Sequence, residues 1–318
     1  MKIKMTSVTM GVLVLLIGCG YPFDFPEAMI TVEVVDEAGL PIADATVSVV
    51  FIKPKTENLG SDSFLIKGQS DAKGLFSASM RAQQQVTCGV RKDGYYGSSG
   101  KPATFSNYKD DKWQPWNPTV HVVLKKIGKP VPMYACSLEK EIPLLNEEVG
   151  LDLIERDWVA PHGSGKSPDI ILLCTKNIAS IRDFNLEMHL RFNAKNDGLI
   201  QIPYDTSHGS LLRLPREAPI DGYVNNLAKK VTAKTDAPVV SDFLDNKCAY
   251  FFRTRSGREG GPLYGKVIND FGYILMNTKT VKITFSYYLN PDGTRNMEFD
   301  PKRNLFKNLK SYDELRDP

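Results

Sequence analysis

Histidine is scarce in this chain. His121, His162, His189 and His208 are the whole supply, and none begins a His-x-x-Glu or His-Glu-x-x-His pair, so the ligand spacing of a zinc peptidase is missing. Gly-x-Ser-x-Gly, the turn that presents a nucleophilic serine in many hydrolases, is absent too. A surplus of one charge is also lacking: 40 basic residues face 37 acidic ones, for a net charge of +3. That balance removes the electrostatic case for nucleic acid as a partner. No cofactor or metal is expected from these absences.

The sequence does carry an address. Lys2 and Lys4 precede an apolar run from Val8 to Ile17, which ends in Gly18 and Cys19. Charged start, apolar middle and small-residue end are the layout of a secretory signal peptide. Ten residues are too few to span a hydrocarbon core of ~30 Å, which needs about 20 in a helix. Leu16-Ile17-Gly18-Cys19 resembles the lipobox of bacterial lipoproteins at all four positions. The resemblance implies cleavage after residue 18, lipidation of Cys19 and a protein held on a membrane of the cell envelope. Gly20 stands where aspartate tends to retain such proteins at the inner membrane, so the expected location in a Gram-negative cell is the outer membrane. Cleavage removes Lys2 and Lys4 and no acid, taking the net charge from +3 to +1.

Beyond Cys19 four cysteines remain, Cys88, Cys136, Cys174 and Cys248. An exported protein can form disulfides, and four cysteines allow three pairings. Cys88 with Val86 and Val90, and Cys248 with Tyr250 and Phe252, sit at period two instead, as buried strand cysteines do. Both readings stand at this point.

Length suggests two domains. Residues 19–27 form a short tether; its span from Cys19 to Ala28 is at most roughly 30 Å. Residues 28–128 read as short strands separated by turn chemistry, with Asp36-Glu37-Ala38-Gly39 and Asp71-Ala72-Lys73-Gly74 as the punctuation. The run from Val34 to Val47, then Ser70 to Phe76, then Lys92-Asp93-Gly94-Tyr95, resembles the carboxypeptidase regulatory-like family. That likeness covers roughly 100 residues and implies a transthyretin- or Ig-like β-sandwich, an accessory module without catalysis.

Lys129-Pro130-Val131-Pro132 marks a stiff boundary. Residues 133–318 are expected to form a second antiparallel β-sandwich with one or two peripheral helices. Phe184, Leu186, Met188, Leu190 and Phe192 alternate with polar residues, as do Val281, Ile283, Phe285, Tyr287 and Leu289. Ile220, Tyr223, Val224, Leu227 and Val231 have helical spacing, as do Leu305, Leu309 and Tyr312.

Candidate sites are few. Tyr95, Tyr96, Tyr108, Trp113 and Trp116 concentrate rings in loops of the first domain, where they would stack on sugars, anchor a partner, or cap the core. Glu187, His189 and Arg191 share one wet strand face. Ala160 to Ser167 fits a permissive phosphate-loop pattern, but the residues after it read as strand, so the helix that motif needs is missing. The expectation is a membrane-anchored, non-catalytic binding or scaffold protein for an envelope protein or a glycan. The competing reading is a glycosidase-like hydrolase in which acids such as Asp169, Asp205, Asp221 and Asp270 converge.

Overall fold

The computed structural model describes residues 25–54, 61–277 and 279–318. The signal segment, the lipobox and Cys19 lie outside the described residues. The regular secondary structure among the described residues is almost wholly β-strand.

The two Asp-x-x-Gly turns of the first half are built alike. Asp36 Oδ1 accepts the amides of Ala38 and Leu40, both at 2.9 Å, and Asp71 Oδ1 accepts those of Lys73 and Leu75, both at 2.8 Å. Gly39 and Gly74 close them at φ of 78° and 76°, a conformation costly for any residue with a Cβ. The turns reverse the chain into two sheets. In one, Glu27–Val35 runs antiparallel to Leu75–Arg81 and parallel to Thr119–Val123. In the other, Thr46–Pro54 lies between Ser61–Gln69 and Gln85–Arg91. Ile30, Val32 and Val34 face Val47, Val49, Phe51, Val86 and Cys88 across the gap, forming one core. Each fully buried side chain of this size contributes roughly 1.5–3 kcal/mol, so the period-two pattern fixes which way each strand faces.

The second half stacks two further sheets. The first is ordered Asp157–Trp158, Glu148–Asp152, Ile170–Ser180, Asp183–Arg191, Asn226–Lys234, Ala237–Ser241; the second is ordered Tyr134–Glu141, Val281–Asn290, Leu263–Leu275, Cys248–Thr254, Gly198–Pro203. Leu186, Met188 and Leu190 pack with Val281, Ile283, Phe285 and Tyr287 between them. A smaller core lies apart from this one, where Met297 and Phe299 join Phe251, Tyr264 and Tyr288. Tyr288 is therefore buried, although the alternation from Val281 to Leu289 assigns it to the wet face.

Both expected helices are corrected. Asn226–Lys234 is a strand whose residues 229, 231 and 233 are buried. The buried position that hides its period-two pattern is Lys229, whose Nζ donates to Asp270 Oδ2 at 2.8 Å and to the Asp242 carbonyl at 2.9 Å. Near the C-terminus, Pro301–Arg303 forms a single 3₁₀ turn. Asn308 then takes a positive φ of 60°, which breaks any continuation through Leu305, Leu309 and Tyr312.

Cys88, Cys136, Cys174 and Cys248 are all free and buried. Burial pushes the Cys136 thiol up to about 11 and the Cys174 thiol up to about 12, so both stay protonated and behave as small hydrophobes.

Candidate functional site

The residues singled out from sequence fall in separate places. Tyr108 and Trp113 meet edge to face at 5.9 Å between ring centroids, and Trp113 stacks on Phe105 at 6.2 Å. Its Nε1 donates to the Ala82 carbonyl at 2.8 Å and its ring packs against the first core, so Trp113 caps the sandwich. Trp116 carries the Lys112 ammonium 4.7 Å over its ring. Tyr95 and Tyr96 lie elsewhere: Tyr95 packs against the core, and Tyr96 is buried, with its amide donating to the Lys125 carbonyl at 2.9 Å.

Glu187, His189 and Arg191 do share one strand face, but they are engaged. His189 Nε2 lies 2.8 Å from Glu187 Oε1, and Arg191 grips Glu148 through Nε at 2.8 Å and Nη2 at 2.5 Å. The phosphate-loop pattern is turned inward. The amides of Lys166 and Ser167 donate to Asp152 Oδ2 at 2.9 and 3.0 Å, and that of Ser164 to Asp157 Oδ2 at 2.9 Å. A Cβ at Gly163 would come within 2.4 Å of the Trp158 carbonyl oxygen, so this glycine serves close packing. Ile170–Ser180 follows as a strand.

The acids proposed for hydrolysis are dispersed. Asp169 is buried against Arg255, which donates to it through Nε at 2.8 Å and Nη2 at 2.7 Å and also reaches Asp152 at 2.8 Å. Despite burial, the Asp152 carboxyl is held below the usual range by the amides of Lys166, Glu155 and Ser167 and by the Arg255 charge. Asp270 is buried too, accepting from Lys229, the Tyr250 hydroxyl and the Asp245 amide. Asp221 is exposed, and Asp205 caps its own turn through the Ser207 amide at 2.7 Å. Asp169 thus shares Arg255 with Asp152, a structural ion pair on each side of the guanidinium.

A cavity of about 470 Å³ lies where the two halves meet. Its floor belongs to the outer face of the sheet containing Thr46–Pro54. Lys67, Ser48, Gly89, Ser99 and Gly209 stand in register across five successive strands. The last of these, Gly209–Ser210, comes from the second half of the chain and extends the first half's sheet through Ser98–Ser99. The row beside it holds Thr46 opposite Arg91, and the Leu211 amide donates to the Gly97 carbonyl at 2.9 Å. Residues in register share a face, so hydroxyls and glycines form the floor while Lys67, Arg91 and Arg213 bring three cations to it. Among the described residues, no acidic one lines the cavity. Arg213 Nη1 donates to the carbonyls of Asp205 at 3.0 Å and His208 at 3.3 Å; the side chains of Lys67 and Arg91 have no hydrogen-bond or ion-pair partner among the described residues.

The joint behind this cavity is tightly fastened. Glu298 accepts the amides of Gly128 at 3.1 Å and Lys129 at 3.0 Å and pairs with Arg216, which reaches Glu37 of the first sandwich at 2.8 Å. Lys125 Nζ donates to the Leu212 carbonyl at 2.8 Å. Among the described residues, no group of histidine, cysteine and carboxylate side chains is placed to hold a metal ion.

The cleft residues Ser48, Lys67, Gly89, Arg91, Ser99 and Arg213 were not legible as a site. Alternation marks Thr46 and Ser48 as outward, but their meeting with Gly209 joins segments more than a hundred residues apart, and no local pattern encodes that.

No family model matches the chain, and no curated protein matches it. Solved structures that resemble it include the shaft pilin SpaA from Lactobacillus rhamnosus GG. A point mutant of that pilin aligns over 80% of this chain and 91% of its own, with 12% identity and a TM-score of 0.21. The unmutated pilin aligns over 80% and 92%, with 12% identity and a TM-score of 0.17. Values this low carry no inference about what the chain does.

Proposed function

We propose that the protein is a lipid-anchored, envelope-exposed binding or scaffold protein without catalytic activity, whose partner is an envelope protein or a glycan. The observation that carries the reading is the cleft at the joint: a preformed, acid-free basic surface, built from both halves of the chain and backed by the Glu298 network. A rigid surface loses little entropy on binding, which suits recognition. The acids named for the competing hydrolase reading are consumed by structural ion pairs or sit apart from one another, which favours binding over glycoside hydrolysis.

The anchor rests on Leu16-Ile17-Gly18-Cys19 and the carboxypeptidase regulatory-like likeness of the first sandwich, an accessory type of module. The lipobox resemblance implies a diacylglyceryl group on the Cys19 thiol and a further acyl chain on its amino group, more than the two signals that stable anchoring takes. Metabolic labelling with a fatty-acid probe tests this part: Cys19→Ser is expected to abolish acylation and release the protein from membranes, and continued labelling refutes lipidation. For the binding part, crosslinked pull-down of the intact protein from its own envelope is expected to recover a reproducible partner or polymer. Recovery of nothing above background contradicts it.

A further inference from the structure

The ligand class can be read from what the cleft offers and what it withholds. Its floor is the face of a sheet, running from the edge strand Ser61–Gln69 to the edge strand Gly209–Ser210, and backbone amides and carbonyls lie in the plane of a sheet, towards neighbouring strands, and not out of its face. An extended peptide laid across it would find no ladder to join and would leave its own main-chain groups short of partners. Side chains are what remain. Ser48, Ser99 and Thr46 supply hydroxyls that both donate and accept. Lys67 and Arg91 supply positive charge with no partner among the described residues, and Arg213 stands at the rim. Leu65 and Leu211, both half exposed, add apolar contact at the sides.

Size agrees with a chain-like ligand. From Lys67 to Gly209 the in-register row crosses four strand gaps, which at about 4.8 Å each gives roughly 19 Å. Gly89 sits mid-row with open space above it: a Cβ there would meet nothing nearer than the Ser98 carbonyl oxygen at 3.9 Å. The trough is therefore hydroxyl-lined and flat at its centre, with cations along it.

We propose that this cleft binds an acidic polysaccharide, a glycan strand bearing carboxylate or sulfate groups, with its hydroxyls on Ser48, Ser99 and Thr46 and its anionic groups on Lys67, Arg91 and Arg213. The inference rests on the binding-protein reading above and names the ligand for it. Sugar hydroxyls tolerate one-sided hydrogen bonding because their other faces stay in water, whereas the anionic groups supply strength through charge-assisted hydrogen bonds. With a Debye length of about 8 Å at physiological salt, the three cations act only on groups in contact, so affinity should fall as salt rises.

The full-length protein in detergent would be titrated by calorimetry with oligogalacturonate, sulfated dextran oligosaccharide, neutral dextran oligosaccharide and polyglutamate. The first, the second or both are expected to bind, at least about tenfold more tightly than neutral dextran; which of them wins separates carboxylate from sulfate as the source of charge. Lys67→Ala combined with Arg91→Ala is expected to weaken binding by about tenfold or more, the loss of two hydrogen bonds to charged groups. Gly89→Leu fills the floor without meeting backbone, so it should block binding while the melting temperature stays near that of the wild type. Lys195→Ala, on an exposed loop, should change neither. Equal or tighter binding of polyglutamate overturns the glycan assignment in favour of an acidic protein. Binding that survives both cleft variants, or failure of every probe, overturns the cleft as the site. A partner recovered in the envelope pull-down would still uphold the broader reading in that case, so the two failures are distinguishable.

Discussion

Buried charges hold this protein together at single positions. Arg255 is the clearest, bridging Asp152 and Asp169, with Asp169 also accepting from Thr254 Oγ1 at 2.9 Å and the Leu153 amide at 2.8 Å. Arg255→Met is expected to strand two buried carboxylates and cost about 3–5 kcal/mol in urea unfolding. Arg255→Lys should recover little of it, because an ammonium cannot reproduce the fork that spans both acids. Lys266 behaves differently. It is fully buried beneath Tyr288, donating to main-chain oxygens of Met297 and Pro318, both at 3.0 Å, and burial pushes its ammonium down to about 7. An unfolded chain keeps that proton to about pH 10.4. Between those values the unfolded state binds more protons than the folded one, so stability should rise with pH from about 7 towards 10, by at most ~1.4 kcal/mol per pH unit. Urea melts across that window should show the rise in the wild type and its loss in Lys266→Met; equal slopes contradict the assignment.

At the scale of strands, legibility followed how clean the alternation was. Asp183–Arg191 was readable because its apolar face is unbroken. Asn226–Lys234 was not, because a buried lysine stands at the centre of its inward face and leaves Leu227 and Val231 looking helical. The Asp36 and Asp71 turns were readable since aspartate and glycine at that spacing each have one geometric use. Gly209–Ser210 had no local signal at all: it is two residues long and its meaning lies in the distant Ser98–Ser99 strand. That short strand hooks the second half onto the first. Leu211→Pro removes the amide that donates to Gly97 and should destabilise the hook by about 1–3 kcal/mol. Hydrogen exchange would then accelerate at the strand amides of Ser98–Ser99 while the Asp183–Arg191 strand stays protected; uniform exchange throughout argues against a local hook.

For the whole molecule, two β-sandwich halves with their own cores are joined where Glu298 gathers the linker amides, Arg216 and, through it, Glu37. Calorimetry of the wild type should give one cooperative transition. Glu298→Ala leaves Arg216 and two amides without their carboxylate at the joint, and is expected to divide that transition in two. The first half's sandwich, with its paired turns, was evident from sequence; the joint and its cleft were not, since they arise only when the halves dock.

The docking of the two halves creates the proposed binding surface. Acetylation of the lysines of the full-length protein, with and without the tighter binder of oligogalacturonate and sulfated dextran oligosaccharide, followed by mass-spectrometric mapping, addresses it directly. Protection by the oligosaccharide is predicted to concentrate on Lys67, the lysine among the cleft's lining residues, and to disappear from it in Gly89→Leu. Protection spread over the exposed lysines without preference, or concentrated away from the joint, would contradict the cleft as the site.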